Sequence, residues 1–171
     1  MPRVRFEIRV SSKSKDGLPD FDAYGTDSVS FLIATNPGEP PAPMEKIASG
    51  GELSRIMLAL KSVIADKDGI DTVIYDEVDT GVSGKTARKI GMKLRESAAR
   101  AQVLSVTHSA QIASLADRHF LIEKREEDGR ASTSVHPLDY EGRIEELSRI
   151  LGGIHITDAQ RAAAKDMLEG K

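Results

Sequence analysis

The stretch Val73-Ile74-Tyr75-Asp76-Glu77 is the most informative part of the sequence for the fold. Its first three residues form an apolar run without alternation, which is typical of a strand that helices cover on both faces of a parallel sheet. Apolar residues at helical spacing predict one helix before this strand, over about 50–65, and another after it, over 85–98. A second buried strand is predicted at 103–107. This order predicts an α/β fold with a mostly parallel sheet flanked by helices.

The N-terminal quarter of the chain carries simpler patterns. Residues 4–10 alternate apolar and charged side chains and predict a half-buried strand, and residues 29–35 predict a second strand. Residues 11–20 are polar and contain glycine and proline, so they predict a loop. Residues 36–43 hold four prolines and a glycine, and they predict an extended connector.

The C-terminal third predicts a terminal β-hairpin followed by two helices. Asp128-Gly129 separates two strand-like runs and is a common hairpin turn. A helix over 140–151 ends at Gly152-Gly153, and Thr157 with Gln160 forms a capping-box pattern that opens a last helix. We predict one domain over 1–171, whose parts are the N-terminal strands and connector (1–43), the core (44–125), and the hairpin with the C-terminal helices (126–171).

Composition excludes several classes of protein. The chain has 171 residues, of which 39% are hydrophobic, so a folded domain is expected. It contains no cysteine, which excludes disulfide scaffolds, cysteine-ligated metals and thiol nucleophiles. The formal charge of −3 gives no general basic footprint for nucleic acid. No stretch approaches the length of a membrane-spanning helix, so no membrane partner is expected.

A glycine turn precedes the first predicted helix. Gly50 and Gly51 allow backbone N–H groups to approach an oxyanion closely, and Ser49 adds a hydroxyl donor at the N-cap position. The start of the helix adds unpaired N–H groups and the positive end of the helix dipole. These features predict a phosphate site. The alternative is that Ser49 is only a helix cap and the glycines only a turn.

Two consecutive carboxylates, Asp76 and Glu77, end the first buried strand. Consecutive strand residues point to opposite faces, so one carboxylate can serve a metal while the other faces a water molecule. We predict that Asp76 binds Mg²⁺ as a hard oxygen ligand and that Glu77 orients and deprotonates the attacking water. The alternative is a strand end followed by a solvated acidic turn.

His108 follows the second buried strand, at the edge where ligands bind in open parallel sheets. From that position it could contact a terminal phosphate and the attacking water, so we predict a catalytic role. The alternative is an incidental helix cap or surface residue. The other histidines, His119, His136 and His155, have no companions at ligand spacing and are interpreted as structural or exposed.

Together these elements resemble the nucleotide site of ABC ATPases. Ser49-Gly50-Gly51-Glu52 resembles their signature loop, Tyr75-Asp76-Glu77 their Walker B strand end, and His108 their switch histidine. The longer stretches Ala48–Arg55 and Asp76–Gly84 look more narrowly like the RecN family of DNA-repair proteins, which are SMC-like ABC ATPases. Two further stretches fit that family, namely Thr35-Asn36-Pro37-Gly38 and Leu151-Gly152-Gly153.

This resemblance implies an ABC-type P-loop NTPase fold, of which the chain is the C-terminal lobe of the ATPase head. In such proteins the two ends of a long chain form the head across a coiled coil, and the P-loop lies in the N-terminal end. ATP is held between two heads. The residues implied to bind the nucleotide of the other head are Ser49, Gly50, Gly51 and Glu52. Asp76 with Mg²⁺, Glu77 and His108 would serve the nucleotide of their own head.

The resemblance also implies a biological role. The complete protein would be an ATPase in recombinational repair of DNA double-strand breaks, in the cytoplasm on the nucleoid. The implied partners are the N-terminal head half that carries the P-loop, a second identical head, and DNA through the full-length protein. The isolated chain would be inactive because it lacks a P-loop.

Two departures and three alternatives accompany this interpretation. Ser83 stands where the wider group has the D-loop aspartate, and Ala48 stands where the signature usually has leucine. Residues 79–86 nearly match a P-loop, but Asp79 replaces its first glycine, and neighbouring carboxylates would repel phosphates. An independent P-loop NTPase using Lys85 is therefore one alternative. The others are a lobe of another SMC-like recombination or chromosome ATPase and a non-catalytic dimerisation module.

Overall fold

The computed structural model describes residues 4–46, 49–127, 130–153 and 155–170. The chain divides into two compact units, residues 1–49 and 50–171. Ala48 and the Asp128-Gly129 turn lie outside the described residues, so the predictions made for them remain predictions. The single domain predicted over 1–171, with its three parts, also stays a prediction.

The first unit is built on antiparallel pairing. Strand β1 (Arg5–Ser12) pairs along its whole length with β4 (Asp27–Ala34), and β4 also pairs with the short β5 (Ala42–Pro43). A 3₁₀ turn (Met44–Lys46) follows β5. The two strands predicted at 4–10 and 29–35 are thus present, and part of the predicted connector runs as an extended edge strand.

Two details of this unit differ from expectation. The predicted loop at 11–20 contains a small hairpin, in which β2 (Ser14–Lys15) pairs with β3 (Leu18–Pro19). Asp16 and Gly17 form its two-residue turn, with φ of 51° and 77°, the left-handed geometry that matches strand twist. The predicted half-burial of β1 is wrong, because all eight of its residues are exposed.

The second unit is centred on one parallel strand pair. Helix α1 (Gly50–Asp68) precedes β6 (Thr72–Tyr75), and α2 (Gly84–Ala98) leads to β7 (Gln102–Ser105), which pairs with β6 in parallel. The short α3 (Ala110–Ala113) follows β7. Apolar side chains from these elements and from the turn after β6 form one core cluster, which consists of Leu58, Tyr75, Val78, Ala87, Ile90, Leu94 and Ile112. The full burial predicted for the two parallel strands is wrong, because Ile74 of β6 and Leu104 of β7 are exposed.

The remainder of this unit confirms the C-terminal pattern. Strands β8 (His119–Glu127) and β9 (Arg130–Leu138) form the predicted hairpin, and α4 (Tyr140–Gly152) follows it. Helix α5 (Asp158–Glu169) begins with the predicted capping box between Thr157 and Gln160. Helices α3, α4 and α5 share a second core cluster around Leu147, which is fully buried.

The mostly parallel sheet predicted from the sequence is wrong for the part of the chain that the structure describes. The fold is mixed α/β, but its sheets are small and mostly antiparallel, and the parallel pairing is limited to β6 and β7. The third strand in the helix–strand alternation is β8, which pairs with its sequence neighbour β9. A tight hairpin turn brings two strands together with far less chain than a crossover helix requires.

Among the described helices, none is both long and apolar enough to cross a membrane.

Candidate functional site

Strands β6 and β7 end side by side. Beyond the last paired residues, the N–H of Val106 donates a hydrogen bond of 2.9 Å to the carbonyl of Tyr75. The segment that carries Asp76 and Glu77 therefore leaves the sheet beside the segment that leads to His108. Tyr75 is buried just below this edge, and burial raises the pKa of its phenol.

Asp79 connects the two segments by hydrogen bonds. It was not among the site residues that we predicted from the sequence. Its side chain is only 1% exposed. The Oδ2 atom accepts hydrogen bonds from the Thr107 hydroxyl (2.5 Å) and the His108 backbone N–H (3.1 Å), and the His108 Nδ1 lies 3.5 Å away. For Asp79 the sequence suggested only a place in a solvated acidic turn or a carboxylate that repels phosphate. No local signal shows which of three nearby carboxylates is buried.

Asp76 and Glu77 remain exposed at the end of β6. Glu77 has a φ of 55°, a left-handed conformation that is uncommon and costly for a residue with a side chain. A turn holds this geometry, since the Thr80 N–H donates to the Glu77 carbonyl at 3.0 Å. Such strained residues cluster at functional sites, where the surrounding structure fixes an unusual side-chain direction.

The glycine pair lies against this same turn. A Cβ atom at Gly50 would come within 2.7 Å of Oε2 of Glu77. At Gly51 it would come within 2.9 Å of the Thr80 Cβ and 3.0 Å of the Glu77 and Thr80 carbonyl oxygens. Gly51 is buried and Gly50 is exposed. The two glycines therefore permit a close approach between the start of α1 and the Glu77 turn within one chain.

Polar side chains of α1 secure this contact. The Ser54 hydroxyl donates to the Asp76 carbonyl at 2.8 Å. The Arg55 Nη1 donates to the carbonyls of Thr80 (2.8 Å) and Val78 (3.4 Å). These hydrogen bonds fix the backbone on both sides of Glu77 to the first two turns of α1. The sequence indicated no such role for either residue.

The remaining predicted binding residues, Ser49 and Glu52, are both partly buried. Ser49 directly precedes α1, and Glu52 is the acidic residue of its first turn.

The His108 side chain is 81% exposed, although its backbone is fixed by Asp79. Ser109, not His108, is the N-cap residue of α3, so the incidental-cap alternative does not apply to His108 itself. In the described part of the chain, no hydrogen bond or ion pair joins His108 to Asp76 or Glu77. The two strand ends bring these residues to one edge of the sheet, and Asp79 supplies the direct contact.

The structure of the P-loop-like stretch at 79–86 differs from that of a phosphate-binding loop. Helix α2 begins at Gly84, preceded by Ser83 as an N-cap that makes no side-chain hydrogen bond. Asp79, in place of the first glycine, is buried with its carboxylate against Thr107 and His108. The stretch is thus an anchored turn with a buried carboxylate at the position where a P-loop has its first glycine.

The exposed carboxylates suit a magnesium ion that is also held by phosphates. Across residues 4–46, 49–127, 130–153 and 155–170, no group of three or more histidine, cysteine or acidic side chains could hold a metal by itself. Mg²⁺ commonly binds through one or two carboxylates together with water and substrate phosphates. The exposed Asp76 at the end of β6 fits that pattern. The described side chains do not form a metal site that is closed by protein ligands alone.

No protein-family model matches the chain. Curated relatives named DNA repair protein RecN match it closely in sequence. That of Halalkalibacterium halodurans is 43% identical over 169 residues, which cover 99% of this chain and 30% of the relative. The relatives from Bacillus subtilis and Streptomyces coelicolor are 41% and 46% identical over 97% and 98% of the chain, again 30% of each relative. The chain is thus homologous to RecN proteins over nearly its whole length and spans about a third of theirs.

Solved structures of SMC heads share its fold. The head domain of Pyrococcus yayanosii Smc, with a coiled coil and joint, aligns at a TM-score of 0.56 and 19% identity over 83% of this chain and 25% of that one. A structure from work on ATP-driven dimerization and DNA-stimulated activation of SMC ATPases aligns at 0.50 and 17% identity, over 86% and 84%. The mixed α/β fold of the chain therefore resembles that of an SMC head.

Proposed function

We infer that this chain, a homologue of RecN DNA repair proteins, is one part of a head that binds and hydrolyses ATP in the repair of DNA double-strand breaks. Its RecN relatives are about three times its length, so the activity belongs to a larger assembly than these 171 residues. The chain would supply the signature loop and the hydrolytic carboxylate, and another segment would supply the phosphate-binding loop.

One observation carries this proposal. The turn after β6 contacts both the start of α1, through Gly50 and Gly51, and the segment after β7, through Asp79. Three stretches that are far apart in the sequence therefore meet at one turn, which carries the exposed carboxylate of Glu77 on a strained backbone. A solvated acidic strand end would need none of these contacts.

The roles of the individual residues follow from their surroundings. Glu77 is held outward by its turn and would orient and deprotonate the attacking water. Asp76 would hold Mg²⁺, which neutralises charge on the phosphates when bound. His108, exposed on a fixed backbone, would contact the terminal phosphate and the attacking water. The start of α1 would offer Ser49 and the N–H groups of Gly50, which is exposed, and Gly51 to the phosphate held by a second head.

The proposal includes three partners. A P-loop segment would complete the site on this head, and a second identical head would close over the nucleotide. DNA would be bound through the full-length protein, which we expect in the cytoplasm on the nucleoid. The RecN relatives are named as DNA repair proteins, which supports this context.

Reconstitution tests the proposal. The chain alone should turn over ATP negligibly, and adding the P-loop-bearing remainder of the full-length protein should restore turnover. Glu77→Gln should then lower kcat by at least about 100-fold, since a general base typically contributes 10² to 10⁴. The matched control is Glu126→Gln, an exposed carboxylate on the hairpin, which should leave turnover unchanged. Restored turnover that survives Glu77→Gln would refute the role of Glu77.

The same experiment separates the alternatives. Nucleotide binding by the isolated chain, lost on Lys85→Ala, would favour an independent P-loop NTPase. Dimerisation with the remainder present but without any turnover would favour a non-catalytic module. A lobe of another SMC-like recombination or chromosome ATPase would be favoured if turnover were restored but the full-length protein did not rescue double-strand-break repair in cells that lack RecN.

A further inference from the structure

Asp79 makes an unusual set of contacts for a buried carboxylate. Its side chain is 1% exposed, and within the described residues the ion-pair contact found for it is with the His108 ring. One oxygen, Oδ2, receives the Thr107 hydroxyl at 2.5 Å and the His108 N–H at 3.1 Å. The other oxygen, Oδ1, is buried with no hydrogen-bond partner. An unsatisfied buried carboxylate oxygen is costly, which calls for a reason beyond folding stability.

We propose that Asp79 is a positioning residue for His108, which keeps the imidazole proton on Nδ1 and leaves Nε2 facing the reaction. This inference rests on the proposed function, in which His108 contacts the attacking water. The His108 Nδ1 lies 3.5 Å from Oδ2, an oxygen that already accepts two hydrogen bonds. A bare ring nitrogen there would set its lone pair against the carboxylate, whereas an N–H is attracted to it.

The consequence concerns Nε2. In neutral histidine one ring nitrogen carries the proton and the other accepts, and the hydrogen bond made by one nitrogen sets the state of the other. With Nδ1–H turned towards Asp79, Nε2 is the bare nitrogen, which accepts a hydrogen bond from the attacking water while Glu77 takes the proton that the water releases. The ring is 81% exposed, so Nε2 is open to the O–H of a bound water. An ionised phosphate oxygen has no proton to donate to Nε2, so the contact of the ring with the phosphate would run through that water.

Asp79 also links the position of His108 to that of Glu77. The two acidic residues belong to one turn, closed by the Thr80 N–H on the Glu77 carbonyl at 3.0 Å. Arg55 of α1 binds the carbonyls on either side of Asp79, at Val78 and Thr80. A shift of α1 would therefore move Asp79, and with it His108, together with Glu77.

Imidazole ¹⁵N NMR of the complete chain tests the proposal without any nucleotide. The His108 resonances are assigned by their loss in His108→Gln, and spectra are recorded near pH 8, above the ordinary histidine pKa of about 6.5. We expect Nδ1 to resonate as the protonated nitrogen and Nε2 as the bare one. Asp79→Asn keeps the size and an acceptor oxygen but removes the charge, so it should shift the population towards Nε2–H.

Thr107→Val is the matched control. It removes the hydroxyl that donates to Oδ2 and leaves the Asp79 carboxylate beside His108. The folded chain should therefore be less stable, but His108 should keep its proton on Nδ1. In the reconstituted head, Asp79→Asn should lower kcat by about 10- to 100-fold, with a smaller change in KM, as for other residues that orient a reacting group. If the head shows no turnover, the NMR result still stands, which separates this inference from the proposed function. A wild-type His108 protonated mainly on Nε2 would overturn it even if Asp79→Asn failed to fold, and so would a tautomer ratio unchanged in Asp79→Asn.

Discussion

Replacing Gly51 by alanine should disturb the packing between the start of α1 and the Glu77 turn. A Cβ there would lie 2.9 Å from the Thr80 Cβ and 3.0 Å from two backbone oxygens, those of Glu77 and Thr80. Backbone cannot rotate out of the way, so Gly51→Ala must move the start of α1 or the turn by several tenths of an ångström. Because Arg55 and Ser54 bind the same turn, such a move would strain their hydrogen bonds as well.

The magnitude follows from two opposing effects. Overpacking a buried contact usually costs about 1–3 kcal/mol. Replacing glycine by alanine in a helix stabilises the folded state by at most about 1 kcal/mol, and by less in the first turn. Gly51→Ala should therefore lower the free energy of unfolding by about 1–2 kcal/mol.

Gly50→Ala is the matched control for this prediction. Its added Cβ would meet only the carboxylate of Glu77, with Oε2 at 2.7 Å and Cδ at 3.9 Å, and these atoms are the end of a flexible side chain. The carboxylate can rotate away, so the free energy of unfolding should stay the same or rise by up to about 1 kcal/mol. In the reconstituted head the same substitution should still lower kcat, because it displaces the Glu77 carboxylate that we propose to be catalytic.

Urea unfolding followed by far-UV circular dichroism measures both variants. With an m value near 2 kcal/mol/M, the midpoint for Gly51→Ala should fall by about 0.5–1 M relative to the wild type. The m value should not change, since the folded state remains compact. Equal midpoints for the two variants, or a higher midpoint for Gly51→Ala, would show that the turn and α1 do not pack as described.

Three further predictions concern the stability of the chain. Glu77→Gly should raise the free energy of unfolding by about 1 kcal/mol by relieving the φ of 55°, whereas Glu77→Ala should bring no such gain. Arg143→Met should cost about 2–3 kcal/mol, because this guanidinium donates to three carbonyls around the end of α3; Arg161→Met, which loses only an exposed ion pair, should cost less than about 1 kcal/mol. Burial lowers the pKa of His119, so the unfolded chain takes up its proton first, and stability present above about pH 6.5 is lost as the pH falls through the lower folded-state pKa. His119→Asn should flatten the unfolding free energy between about pH 7 and 5, and an unchanged slope would contradict this assignment.

Local elements could be read from the sequence because their signals are local. The capping box at Thr157 and Gln160 predicted the start of α5 correctly, and the apolar run before Asp76 predicted β6 to within one residue at each end. The pairing of β8 with β9 was also predicted correctly, from two strand-like runs on either side of Asp128-Gly129. In each case, the deciding interactions join residues that are close in sequence.

Pairing between distant elements was predicted less well. The helix–strand alternation indicated a mostly parallel sheet, but only β6 and β7 pair in parallel within the described ranges. The alternation gives the order of the elements along the chain but does not indicate which strands pair. Local pairing in a hairpin costs little chain entropy, so β8 pairs with β9 in place of extending the parallel pair.

The sequence by itself determined where the two parallel strands, β6 and β7, end and which residues open α1, because apolar periodicity and glycine placement act over a few residues. Only the tertiary structure decided that Asp79, and not its exposed neighbours, is the carboxylate that holds His108. Its two hydrogen-bond partners lie 28 and 29 residues away. Burial and contact at that separation depend on how β6, β7 and α1 pack together, and no local pattern encodes that packing.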